Sequence, residues 1–205
     1  MVSAHCSWQL KVAGCSAEEL RSVGFSIGEL KASGFSALTL RNAGFSVEAL
    51  KWAGFRVKQL KEIGSTAEQL KEVGYSAGEL RMAGFSVSEL KAVGFDAGEL
   101  RAGGFNARQL KEVGFSPALL RDAGFTASDL EDVGFNAMQL ADGGFAPGEM
   151  MTAAFTVEEL RKAGCTVEEL KAVGMTAKEL KEGGFTPVEL KKAGFPVWKL
   201  KEIGL

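Results

Sequence analysis

The side chains that could do chemistry in this chain are few in kind. His5 is the only histidine, and the cysteines are Cys6, Cys15 and Cys165. A Ser–His or Cys–His nucleophile would have to use His5, because the base must lie within hydrogen-bond reach of the attacking atom. His5, Cys6 and Cys15 could be read as metal ligands, but their spacing fits no zinc pattern and a fourth ligand is not evident. Serine, threonine and glutamate are abundant, but they recur at fixed intervals, as in Ser16 and Glu19, or Ser26 and Glu29. Paired carboxylates perform acid–base work only across a cleft. A phosphate-binding loop needs glycines clustered ahead of one helix, whereas here they are spread evenly along the chain. The threonines are scattered among other capping residues, which argues against an ice-binding array. These residues point to no enzyme, no metal and no cofactor.

Their intervals point instead to short helices. From Cys6 the sequence divides into twenty ten-residue units without an insertion, typified by Ser16–Phe25, SAEELRSVGF. Numbering positions 1 to 10 within a unit, position 1 is Ser, Thr, Asp or Asn in most, the residues that cap helix N-termini. Position 4 is Glu or Gln in fifteen of the twenty units, which completes a capping box. Pro117, Pro147 and Pro187 stand at position 2, the first helical residue, where the missing N–H costs nothing. Position 9 is Gly in every unit but one, where it is Ala154, and glycine just past a helix supplies the left-handed stop. Position 5 is Leu except at Met150, and position 10 is Phe in fourteen units. That Phe can pack back on its own Leu and forward on the next.

The predicted helix spans positions 2 to 8, about two turns, and is too short to survive alone. Positions 2, 5 and 8 form an apolar stripe, positions 3 and 7 face away, and the Lys or Arg at position 6 lies on the flank with its head in water. One unit buries a Phe and a Leu, roughly 1.5–3 kcal/mol each. Ordering ten residues costs about 1–2 kcal/mol per residue in backbone entropy. Neighbours must therefore bury one another's stripes. The reading is an all-α solenoid over residues 6–205, with residues 1–5 covering its open end and an irregular unit at 146–155. No 20- or 30-residue super-period is apparent. The five-residue alternation of Leu and Phe also suits a pentapeptide-repeat β-helix. In that fold the residue two before each central Leu would point inward, and Glu18, Leu38, Lys58, Arg108, Met138 and Trp198 cannot all do so. Capping boxes and prolines at position 2 would have no role there either.

The period resembles tandem decapeptide arrays of the LKxAGFSxxE type, found in microalgal, protist and bacterial proteins. The resemblance covers residues 6–205 and brings no catalytic residues with it. Its algal members make a linker subunit of a large organellar assembly, including a photosynthetic one, an expectation.

Composition sets further bounds. The net charge of −2 opposes strong binding to nucleic-acid backbone. No apolar run reaches membrane-spanning length, and Met1–Trp8 has no secretory signal pattern. The odd cysteine count, with Cys15 and Cys165 in the Phe position, suggests free thiols in a reducing intracellular compartment. What remains for function is surface. Trp8, Leu38, Trp52, Met82, Met138 and Trp198 are large apolar residues at outward positions, where they mark interaction sites when contiguous. A second candidate surface lies at Asp129–Met151. There position 6 becomes Glu131, Ala141 and Met151, and Asp129, Asp132 and Asp142 add negative charge. Leu38, Trp52, Met82, Met138, Asp132, Met150 and Met151 are the expected partner-binding residues of a protein scaffold or linker. The alternatives are a pigment- or ligand-carrying subunit, using His5 or carbonyls near Ala146–Phe155, and a nucleic-acid-binding array.

Overall fold

The computed structural model describes residues 9–204, so His5, Cys6, Trp8, Leu205 and the expected N-terminal cover lie outside the described residues. Residues 9–12 are helical, and nineteen helices follow among the described residues, one per unit from Ala17–Ser22 to Val197–Glu202. The described chain contains no strand, which excludes the β-helix.

Each helix is begun and ended by its own unit. At Ala17–Ser22 the Ser16 Oγ accepts from the Glu19 N–H at 3.2 Å, and the Ser16 N–H donates to Glu19 Oε2 at 2.7 Å. At the far end Gly24 takes φ +97°, its N–H donates to the Arg21 carbonyl, and the Phe25 N–H donates to the Leu20 carbonyl, both at 3.0 Å. This is the full Schellman pair, and it satisfies carbonyls that so short a helix would otherwise leave open. Half of the box persists where position 1 cannot cap. The Arg56 N–H donates to Gln59 Oε1 at 2.9 Å, and the Ala146 N–H to Glu149 Oε2 at 2.7 Å.

Leucines at position 5 form the core. Leu30, Leu40, Leu50 and their counterparts through Leu140 are completely buried, flanked by the buried position-10 rings and by alanines at position 2. The contacts form two compact units, one up to Gly104 and one from Phe105. Within each, helices pack both on the next helix and on the next but one. In the first unit Ala77–Met82 lies against Val57–Glu62 and against Ala97–Ala102; in the second Ala137–Asp142 lies against Pro117–Asp122 and against Val157–Lys162. A 20-residue relation is therefore present in the packing although none shows in the residue types. Where position 8 is Gly, backbones meet closely: a side chain at Gly103 would collide with Gly78 and Ala77, and one at Gly143 with Pro117 and Ala118.

The irregular unit is shortened. Its helix, Pro147–Met150, has four residues, and the chain leaves it through single-turn bonds, Thr152 N–H to the Glu149 carbonyl and Ala153 N–H to the Met150 carbonyl, each 3.1 Å. Ala154 does not adopt the positive φ of its glycine counterparts, because a Cβ makes that conformation costly.

Candidate functional site

The most ordered polar feature is built by position 6. The side chain was expected to keep its head in water; instead it reaches the C-terminus of the helix two units on. Lys31 Nζ donates to the carbonyls of Ala53 and Gly54 at 2.7 and 2.8 Å, and Lys171 Nζ to those of Ala193 and Gly194 at 2.7 and 3.1 Å. Lys71 donates to the Val93 carbonyl at 3.0 Å and Lys111 to the Val133 carbonyl at 2.7 Å. Arg121 makes the same bond to Gly144. The helix dipole places partial negative charge at these carbonyls, so a cation there is stabilising. The same head group covers the aromatic ring that follows: Lys61 Nζ is 4.1 Å from the Phe85 centroid, Lys51 4.4 Å from Tyr75, and Lys71 4.5 Å from Phe95. Stem, carbonyl and ring thus form a cation seat, repeated along both compact units.

One substitution shows how the seat is satisfied without a ring. Ser65 replaces the aromatic residue, and Arg41 Nη1 donates to Ser65 Oγ at 2.9 Å and to the Ile63 carbonyl at 3.1 Å.

Three consecutive seats lack their position-6 base, because Glu131, Ala141 and Met151 stand where it would be. By the same spacing these seats are residues 153–155, 163–165 and 173–175. Two of them also lack the ring, carrying Cys165 and Met175 instead. A methyl built on Gly94 or Gly194 would lie 3.4 Å from a lysine Nζ, whereas at Gly164 and Gly174 nothing lies within 4 Å, as is also true at Gly64 in the ringless seat that Arg41 fills. Phe155 and Met175 are only half-buried, and Val173 is 39% exposed.

The residues expected to meet a partner divide as follows. Trp52 is 81% exposed and Met82 86% exposed, while Leu38 and Met138 are about half exposed, at 51% and 53%. Asp132 is exposed and Met151 half-buried. Met150 has to be corrected: it is 1% exposed, because it occupies position 5 and replaces a core Leu. Leu119, 52% exposed at a position usually held by Glu or Gln, was not anticipated. It follows Pro117 in a unit with no acid to close the box, a signal that was present in the sequence.

The carboxylates of the capping boxes are held below the usual glutamate range. At Glu19, Glu79, Glu159, Glu169 and Glu179 the N-cap backbone N–H is the main cause and the cap hydroxyl the second. At Glu29, Glu89 and Glu189 the hydroxyl comes first. These acids are committed to structure. Burial raises the pKa of the Cys165 thiol, which opposes thiolate reactivity. Among the described residues no three His, Cys, Asp or Glu side chains converge on a metal position, and no helix is long and apolar enough to cross a membrane.

A family model described as the decapeptide repeat region matches residues 6–77, 74–147 and 134–205, spanning the array in three overlapping passes. The chain belongs to this decapeptide-repeat family. No curated protein matches it. Together the matches cover residues 6–205, the extent of the array, and they carry no named site. In this decapeptide-repeat chain the candidate functional surfaces are therefore the exposed apolar residues at positions 3 and 7 and the row of open seats.

Proposed function

We propose that the protein is a non-catalytic scaffold or linker that binds other proteins through its exposed outward positions. The observation that carries this reading is the exposure of Trp52 and Met82, 81% and 86%, at position 7. The buried core does not use that position, which elsewhere holds polar residues such as Ser22, Glu62 or Asp122. Large, rigid apolar side chains with no part in the fold are what interface hot spots are made from. The repeated architecture holds such groups at set intervals, which suits extended partners. The role is geometric and needs no cofactor. The resemblance to algal arrays supports membership of a large organellar assembly, and the free thiols of Cys15 and Cys165 support a reducing compartment.

The test compares proteins captured from the native source by the wild-type chain and by Trp52→Ala and Met82→Glu. Loss of the same partners from both variants, with thermal midpoints within a degree or two of wild type, supports the reading. Identical capture by all three overturns it for these surfaces.

A further inference from the structure

We propose that the two open seats with regular helix endings, residues 163–165 and 173–175, form a docking site for lysine or arginine side chains of a partner protein. The inference rests on the scaffold reading and names the chemistry of the partner. The first observation is internal to the chain. Thirteen bases at position 6 place an ammonium or guanidinium on the carbonyl of position 8 or 9 two units on. The fold makes the acceptor whether or not the base is present. The helices Val157–Lys162 and Val167–Ala172 end in the same Schellman bonds as the others, with Gly164 and Gly174 at φ +92° and +100°. Their last carbonyls face the space that an internal cation occupies elsewhere.

The second observation is charge. Residues 122–160 contain eight acids and no Lys, Arg or His, in a chain that otherwise carries a base in nearly every unit. Asp132 and Asp142 are exposed in this stretch. Most of these acids lie on the units that precede the seats and favour a cation on that side, while Arg161, Lys162 and Lys171 lie on the seats' own helices. The third is the surface around the carbonyls. Met175 is half-buried, as is Phe45 under Arg21, while Cys165 is buried like Phe85, Phe95 and Phe135. A lysine stem could lie on these groups while its head bonds the carbonyl, as Lys71 does on Phe95.

The experiment fills the seats from within. Fluorescein-labelled octalysine is titrated into the wild-type chain, into Ala141→Lys/Met151→Lys, and into Glu168→Gln/Glu182→Gln. The last adds the same positive charge at exposed positions outside the seats. Expected are saturable binding to wild type, at least tenfold weaker binding to the lysine variant, and less than a threefold change in the glutamine variant. Equal weakening in both variants would show general charge attraction and overturn the site. So would the absence of saturable binding to wild type, or binding unaffected by acetylation of every octalysine Nζ. Competition by spermidine at equal charge would assign the seats to free polyamines and overturn the protein-partner assignment. The two readings fail separately: loss of captured proteins in Trp52→Ala without octalysine binding to wild type leaves the scaffold standing and removes the seats.

Discussion

The helices ending at Ala92 and at Ala172 share one local design and differ in one remote contact. Val87–Ala92 has its box, its Gly94 stop and, from two units upstream, the Lys71 head on the Val93 carbonyl and the Phe95 ring. Val167–Ala172 has the same box and stop, with Met151 in place of the base and Met175 in place of the ring. Both are helical over six residues. The difference teaches that the local cap is sufficient to define the helix, and that the remote cation is a separate layer added on top. For two of the three units that lack the base, the ring is missing as well, while Phe155 keeps its ring opposite Glu131. Where Ala141 and Met151 replace the base, Cys165 and Met175 replace the ring 24 residues later. A ring with no cation above it would offer a bare face to water, and a cation with no ring would lose part of its seat.

The comparison can be broken most forcefully in the core, which should be the same in both regions. Leu90→Ala and Leu140→Ala each remove a completely buried side chain and should each cost about 2–5 kcal/mol, read from denaturant unfolding. If Leu140→Ala costs less than half as much as Leu90→Ala, the irregular stretch is loosely packed and the two regions differ in more than their seats.

The local stop comes next. Gly94→Ala forces a Cβ into a left-handed conformation at φ +83° and should cost about 1–2 kcal/mol. Ala154→Gly, where no such conformation exists, should change stability by much less. A large gain from Ala154→Gly would mean that the irregular unit is a strained version of the regular one and not a distinct ending.

The remote layer is smaller. Lys71→Ala should cost about 0.5–1 kcal/mol through the lost dipole and ring contacts. Met151→Lys with Met175→Phe should gain a comparable amount by restoring base and ring at once. Either lysine change made without the ring should give less, and a double-mutant cycle measures the coupling. Full additivity would show that base and ring act independently.

The smallest effect per site is that of pH. The capping-box glutamates are held below their ordinary range in the fold, so the unfolded chain binds protons first as pH falls. Their contribution is complete above the ordinary glutamate value, near 4.3, and is lost as pH drops through the folded values. Thermal midpoints should be flat from pH 7 to 5 and fall between pH 4.5 and 3, these limits being approximate and set by that value. Glu89→Gln should remove its share of the dependence while keeping an acceptor for the cap N–H. An unchanged acid limb in a variant with several such replacements would show that other carboxylates control it.

Much of the fold was legible because the code is local. Ser16, Glu19, Leu20, Gly24 and Phe25 each act within their own unit, so start, stop and buried stripe could be assigned by inspection. The remote layer was not, because Lys71 looks like an ordinary flanking lysine until Val93 and Phe95 are brought beside it. Its trace was present all the same, in the joint loss of base at 141 and ring at 165. Met150 was misplaced for a related reason. Its unit departs from the pattern at almost every position, which drew attention to its surface, although position 5 alone assigned it to the core. Trp52 and Met82 were readable as surface residues because position 7 lies opposite the stripe.

The reach of position 6 has a consequence for how such a chain can change its length. Lys31 answers to acceptors 22 and 23 residues downstream and to a ring 24 downstream, and bases along the array repeat that reach in whole or in part. Gain or loss of whole decamers preserves that phase and merely hands each lysine an equivalent address. A shift of any other size would leave the cations within the two units upstream of it pointing at the wrong backbone. Copy number is free to drift, while the reading frame of the array is locked.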